Sequence, residues 1–403
     1  MRILFSPAHY YVSDKRGSEP SWPYYAMEAL AKEGHEVWAV CGVADLKNKL
    51  NKDINLYPIF GTSRSENAFK EFGNKLRFYK RVQIMSTKIL QEQAAKGHPI
   101  DIVHHFAPIS PNSPNLLAIK KLSQPFTMGP AMKPPDDEAD LATALGTKDD
   151  WKLKIVDSGL KIVSGFANRL YKKTLKRVDH LFAVTTEAQK YYQQELPKDK
   201  VTMVPAGIDV SKYLNTSSIK HNPEIILALC YLIKRKGIDV LLKAFAKISK
   251  YHPQSRIWIV GNGPEEDNLK QLAEELGIAK KVRFWGFIDN KQVSKYYAEA
   301  GIFVSPTRNE PFGQTFLEAM AAGLPVLATK TGGIPDIVTK DVGKIFDIDD
   351  VDTLAKYLDE ILGNKSVQAD MGKAAVARVK QVYDWRVIMK QYETVWKKLL
   401  NKK

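Results

Sequence analysis

Cysteine is scarce. The 403-residue chain has two, Cys41 and Cys230. Two thiols build neither a disulfide framework nor a cysteine metal cluster, and a reducing compartment is the simplest setting. Long apolar runs are missing too. None approaches the roughly 20 residues that cross a bilayer. Met1-Arg2-Ile3-Leu4-Phe5-Ser6-Pro7 is too short and too soon broken for a signal peptide, and reads as a first buried strand. The expected location is therefore the cytoplasm. No low-complexity tract interrupts a composition that is 44% hydrophobic and 26% charged, the balance of a globular protein. Acidic residues are outnumbered, 45 against 60 Lys and Arg, for a net charge of +15. Nucleic acid, an anionic membrane surface or phosphorylated ligands could each answer that charge, as could a plain solvated Lys-rich surface.

What is present is alternation. Ile3–Ser6, Glu36–Cys41, Ile100–His104, Phe126–Met128 and Leu181–Thr185 read as buried strands, with a helix expected over Trp22–Glu33. The pattern restarts near residue 224. Expected strands at Glu224–Leu229, Arg256–Val260, Val282–Trp285, Ile302–Ser305 and Pro325–Ala328 alternate with helices over Val240–Lys250, Leu269–Leu276, Gln292–Ala300 and Gly313–Ala322. This is the signature of βαβ units on parallel sheets. The chain is long for one core. We therefore expect an α/β protein of two Rossmann-like, doubly wound domains, 1–205 and 206–385. The turn Val204–Asp209 lies between them, and an amphipathic C-terminal helix (386–403) is assigned to the first domain. Ligands of such sheets sit outside the carboxyl ends of the strands, so a site in a cleft between the halves is expected.

The richest stretch is Glu310-Pro311-Phe312-Gly313-Gln314-Thr315-Phe316-Leu317-Glu318. Gly313 permits close approach of backbone to a ligand. The N–H groups of Gly313, Gln314 and Thr315 at a helix start suit phosphate oxygens. Glu310 before the helix and Glu318 within it can pair with vicinal hydroxyls, although two solvated glutamates around an ordinary strand–helix turn would look the same. The continuation Glu318-Ala319-Met320-Ala321-Ala322-Gly323-Leu324-Pro325-Val326, with Gly332-Gly333 beyond it, resembles the family 4 retaining glycosyltransferases of GT-B architecture. Further motifs follow that family's order: Pro205-Ala206-Gly207-Ile208-Asp209, Lys236-Gly237, Val260-Gly261-Asn262-Gly263 and Gly286-Phe287-Ile288, with Gly34-His35-Glu36-Val37 in the first half.

The resemblance implies a transferase that moves a sugar from a nucleoside-diphosphate sugar (UDP- or GDP-linked) to a hydroxyl of a glycan or lipid-linked acceptor. Glu310 would hold sugar hydroxyls beside Phe312 and Gly313. Gln314 and Thr315 would meet the diphosphate, Glu318 the ribose, and Ile288 the base. Lys236 would neutralise the leaving diphosphate, the Gly17 loop would approach the phosphates, and Gly263 would be among the donor-binding residues. The Arg that the family usually carries five residues before that Lys is Tyr231 here. Tyr supplies no fixed positive charge, so Lys234 or Arg235 would compensate, or the donor would be held differently. The family needs no bound metal, and no His/Asp/Cys set here has ligand spacing; no cofactor is expected.

His104 and His105 end an apolar run at a strand's carboxyl end. Either could orient the acceptor or take its proton, or be a hydrogen-bonded structural histidine. His104 is preferred, since neighbouring strand residues point to opposite faces. Loops Tyr10–Arg16 and Lys133–Glu138 are candidate acceptor contacts. Lys70–Leu90 and Lys152–Arg177 are basic and amphipathic, which fits an anionic membrane surface at the inner face of the plasma membrane or a solvated helix face. No aromatic or groove-reading signature supports nucleic acid. A nucleotide-sugar epimerase and a non-enzymatic basic binding protein stand as alternatives.

Overall fold

The computed structural model describes residues 1–14, 19–60, 68–106, 113–120, 122–134, 167–214, 221–289 and 291–402. The chain divides into two compact units, Met1–Gly207 with Trp385–Lys403, and Ile208–Asp384.

Unit 1 is built on seven strands: β1 (Arg2–Ser13), β2 (Glu36–Asp45), β3 (Ile54–Pro58), β4 (Ile102–His105), β5 (Phe126–Ala131), β6 (His180–Ala183) and β7 (Val201–Met203). They run parallel in the order β3-β2-β1-β4-β5-β6-β7. The strand order therefore reverses between β1 and β4, and the sheet is doubly wound. β1 is much longer than the expected Ile3–Ser6. Its register shifts between Phe5 and His9, and pairing with β2 resumes through Ser13↔Asp45. A proline inside the run reads as a stop, because it cannot donate to the ladder. At a bulge that donor is not needed, and the strand continues past it.

The helix Trp385–Asn401 completes unit 1. Its buried residues are Trp385, Ile388, Met389, Tyr392 and Trp396, spaced three to four apart on one face. Tyr392 stacks on Phe182 at 3.8 Å between ring centroids. The Trp396 Nε1–H donates to Thr127 Oγ1 over 3.0 Å.

Unit 2 has six parallel strands: β8 (Ile225–Leu229), β9 (Arg256–Val260), β10 (Val282–Phe284), β11 (Ile302–Ser305), β12 (Val326–Thr329) and β13 (Gly343–Phe346). Their order is β10-β9-β8-β11-β12-β13. The helix Ile238–Ile248 buries seven of its eleven residues, Leu241, Leu242 and Phe245 among them. They pack on Ile226, Ile257, Ile302 and Leu327. The crossing point of this sheet lies between β8 and β11. Whatever follows those two strands is placed where a ligand of a doubly wound sheet binds.

Candidate functional site

Two loops leave that crossing point. After β8 the chain forms a 3-10 turn, Lys234–Lys236, closed by Gly237 in the left-handed region (φ 66°). A Cβ on Gly237 would lie 2.0 Å from the Pro306 carbonyl oxygen. Only glycine allows this turn to sit so tightly against the end of β11. After β11, Thr307–Phe312 leads to Gly313, the N-cap of the helix Gln314–Ala321. A third loop pins the second: the Gly333 N–H donates to the Glu310 carbonyl over 3.2 Å. Gly332 passes so close that a Cβ there would be 2.0 Å from the same oxygen.

The two loops bring Lys236 and Glu310 together. Lys236 Nζ lies 2.7 Å from Glu310 Oε2, with side chains 17% and 16% exposed. This charge-assisted bond spans 74 residues of sequence. It fixes an ammonium and a carboxylate side by side at the mouth of the switch point, screened from most solvent. Burial of the adjacent Cys230 pushes its thiol up to about 12, with Lys236, Glu310 and Arg235 as its charged neighbours. That thiol is inert as a nucleophile at neutral pH.

The other expected donor residues fall around this pair. Arg235 turns to its own scaffold, Nη1 donating to the Asn309 carbonyl over 2.6 Å. Its Nε is buried with no hydrogen-bond partner among the described residues. Gly263 packs against the Leu232 backbone, where a Cβ would lie 2.3 Å from the carbonyl oxygen. Tyr231 stays 59% exposed although its neighbours are fixed: Cys230 N–H donates to Val260 O and Leu232 N–H to Asn262 O. Gly261 N–H donates to Gly286 O, which ties in the loop of Phe287 and the half-buried Ile288. Phe312 is buried, and Gln314 and Thr315 are half-buried at the helix start. Gly17 lies outside the described residues.

Glu318 sits on the buried face of its helix. Tyr297 donates its hydroxyl to Oε2 over 3.0 Å. Burial raises the carboxyl above its ordinary value, opposed by hydrogen bonds from Tyr297 and Tyr213. Sequence reasoning named neither tyrosine, and it missed Arg308 as well. Arg308 stands two residues before Glu310 at the carboxyl end of β11, and that position was the available signal.

Of the two histidines, His104 needs a correction. His104 is fully buried. Its Nδ1 lies 2.7 Å from Thr127 Oγ1 and its Nε2 2.9 Å from the Gly129 carbonyl. One neutral tautomer satisfies the whole chain of bonds. Trp396 donates to Thr127, Thr127 donates to Nδ1, and Nε2–H donates to Gly129; the partners assign it. The ring packs among Phe5, Phe182, Tyr392 and Trp396. His104 is thus a structural group that links β4 to the last helix, and it has no ring atom left for an acceptor. His105 is buried on the opposite side of β4, with Nδ1 3.4 Å from Asn115 Nδ2. Its Nε2 finds no partner among the described residues. The preference for His104 as the acceptor-side group does not hold.

Burial also sets their charge. It lowers His104 and His105 from 6.5 to about 3, and His9 and His180 to about 4. All four lie in unit 1. Their folded values are below the unfolded one, so the unfolded chain takes up protons first. Their contribution to stability is complete above about pH 6.5 and falls as pH drops toward 4, by about 1.4 kcal/mol per pH unit for each ring. The urea midpoint of unit 1 should therefore drop steeply between pH 6.5 and 4.5. A midpoint that is flat over that interval would contradict the neutral assignment.

Among the described residues no group of three His, Cys, Asp or Glu could hold a metal ion. No described helix is long and apolar enough to cross a membrane.

Comparison with known proteins agrees with this geometry. Residues 24–212 match the model of Glycosyltransferase Family 4, and residues 209–378 that of Glycosyl transferases group 1. An uncharacterized glycosyltransferase of Methanocaldococcus jannaschii is 31% identical over 214 residues, which is 50% of this chain and 55% of that protein. The chain thus spans about half the length of that relative. The alpha-monoglucosyldiacylglycerol synthase of Acholeplasma laidlawii is 25% identical over 93% of this chain and 92% of its own. Sucrose-phosphate synthase from Thermosynechococcus elongatus shares the fold, with a TM-score of 0.70 at 20% identity over 100% of this chain and 99% of its own. Two adjoining family models, two doubly wound sheets and a Glu-x7-Glu loop at the switch point of the second place the chain in the family 4 glycosyltransferases, with the GT-B fold.

Proposed function

We propose that the protein transfers a sugar, with retention at the anomeric carbon, from a nucleoside-diphosphate sugar to a hydroxyl of a lipid or lipid-linked glycan. The Lys236–Glu310 pair carries this reading: an ammonium and a carboxylate held 2.7 Å apart at the switch point of unit 2. Each has a task on the donor. Lys236 takes the charge that gathers on the leaving diphosphate, where a fixed donor in a partly dry site acts most strongly. Glu310 accepts hydrogen bonds from sugar hydroxyls. N–H groups of the first turn of Gln314–Ala321 face the phosphate side, Glu318 meets the ribose, and Ile288 lies toward the base. With no carboxylate among the described residues assigned as a nucleophile, the acceptor attacks from the leaving-group side and its proton passes to a diphosphate oxygen. The positive charge needed comes from Lys236, so the reading calls for no resident metal.

The acceptor class is drawn from the lipid-glucosylating relative and from two exposed basic faces of unit 1. Arg77, Lys80, Arg81 and Lys88 surround Ile84, which is 61% exposed. Arg169, Lys172, Lys173, Lys176 and Arg177 form a second stripe. Such faces gain about 1 kcal/mol per basic residue at an anionic lipid surface. The companion positions Lys152, Lys154 and Lys161 lie outside the described residues.

One assay tests both parts. UDP- and GDP-hexoses are supplied with diacylglycerol vesicles that contain or lack phosphatidylglycerol, and nucleoside diphosphate release and sedimentation are read together. Acceptor-dependent release, with co-sedimentation on the anionic vesicles at low salt, is expected. No release from any nucleotide sugar with any hydroxyl acceptor would end the transferase reading. Equal sedimentation with neutral and anionic vesicles would end the membrane part.

A further inference from the structure

Four groups converge on Arg308, and none of them is part of the Lys236–Glu310 pair. Its Nε donates to Asp349 Oδ1 over 2.8 Å. Its Nη2 forks onto Asp239 Oδ1 and Oδ2 at 3.1 and 3.0 Å. Its Nη1 donates to the Lys234 carbonyl. Its own N–H donates to the Arg235 carbonyl over 2.8 Å. Lys234 and Arg235 belong to the turn that presents Lys236, and Asp239 lies in the first turn of the following helix. Arg308 itself lies on the loop after β11 that presents Glu310. The contact is reciprocal, because Arg235 Nη1 donates back to the Asn309 carbonyl over 2.6 Å. Thr307 Oγ1 adds a bond to Asn309 O over 3.0 Å.

We infer that Arg308 is a positioning residue that locks the Lys236 turn to the Glu310 loop and so sets the geometry of the donor-binding pair. This rests on the proposed transferase reading. Two further observations support it. Asp349 is the non-glycine residue among those described that holds a positive φ, 62°. A left-handed backbone is unfavourable for an ordinary residue, less so for Asp, and here the Asp349 carboxylate accepts from Arg308 Nε. The Arg308 and Asp349 side chains are 29% and 54% exposed, so solvent screens much of their attraction. Burial alone would raise Asp239, yet the Arg308 hydrogen bond and charge hold it below the ordinary carboxylate value, so the fork is engaged as an ion pair.

The function at stake is placement. A displacement of about 1 Å in a group that acts on the transition state costs on the order of 100-fold in rate. Lysine at 308 keeps one charge but cannot span Asp239, Asp349 and the Lys234 carbonyl at once.

The experiment compares Arg308→Ala, Arg308→Lys and Asp349→Gly with the unaltered protein. It measures kcat and donor KM, and the dimethylammonium resonance of Lys236 in 13C-methylated protein, assigned with Lys236→Arg. Expected for Arg308→Ala is a kcat loss on the order of 100-fold with donor KM within about threefold, and a Lys236 resonance moved toward its position in Glu310→Gln. Arg308→Lys should recover part of kcat, and Asp349→Gly should lose less than either without a lower melting temperature. A Lys236 resonance that stays in place in Arg308→Ala overturns the inference, whether or not the unaltered protein transfers sugar. So does a resonance that moves while kcat stays within twofold. Absence of turnover in the unaltered protein sinks the transferase reading alone, and the resonance still decides the positioning.

Discussion

Glu310→Ala should lower kcat by about 10²–10³-fold, the loss found when one preorganised donor or acceptor is removed from a transition state, while nucleoside diphosphate binding persists. The pair explains the split. Glu310 contacts Lys236 at 2.7 Å, and its remaining carboxylate capacity is assigned to sugar hydroxyls. In the proposed function the diphosphate side is given to Lys236 and to the start of Gln314–Ala321. Removing the carboxylate thus spares the nucleotide and loosens the sugar. Lys236→Ala should show the complementary pattern: a comparable fall in kcat together with weaker binding of the bare nucleoside diphosphate. Steady-state kinetics with calorimetric titration of the diphosphate separates the two. A Glu310→Ala enzyme within fivefold of the original would remove this residue from the reaction.

Trp396→Ala is the second large effect, and it acts on stability. Trp396 is fully buried, and its Nε1–H is the first donor in the chain through Thr127 to His104. Truncating a core Trp costs about 3–5 kcal/mol, which for a unit of this size lowers the melting temperature by on the order of 10 °C. Unit 2 carries its own core and should keep its affinity for nucleoside diphosphate. Differential scanning calorimetry with and without that ligand would show an early transition that the ligand does not shift, followed by one that it does. A single unshifted transition would mean that the helix contributes far less than its packing suggests.

Legibility in the sequence followed the chemistry. The Glu310–Glu318 loop, the Lys236-Gly237 turn and the paired glycines at 332 and 333 were readable through the resemblance to the family 4 glycosyltransferases, and close backbone approach is a physical reason for glycine at such places. Gly237 against Pro306 and Gly332 against Glu310 show that constraint at 2.0 Å. The doubly wound order was readable from alternating apolar runs. The partnerships across the switch point were not. Lys236 and Glu310 are each ordinary surface-type residues, and only the crossover from β10 to β11 makes them neighbours. Arg308 was missed for the same reason.

His104 shows a different limit. Alternation along a strand separates two faces, and one of them was read as the ligand side. β4 is a central strand of a parallel sheet, and both of its faces are covered. His104 and His105 are both fully buried, so facing direction carried no information about access. The β1 extension past Pro7 was hidden because a bulge absorbs a residue that would otherwise end a strand.

The path of the chain through the two units has a consequence for its synthesis. Unit 2, Ile208–Asp384, is one uninterrupted segment, whereas unit 1 needs Trp385–Lys403 as well as Met1–Gly207. Domains made in succession usually fold in the order in which they emerge from the ribosome. Here the unit that is begun first is finished second. Until residues 385–401 have emerged, Phe182 and His104 lack the rings of Tyr392 and Trp396 that cover them, while unit 2 can already close. A stop codon at position 385 would therefore spare the unit encoded just before it and cripple the one whose strands were made first.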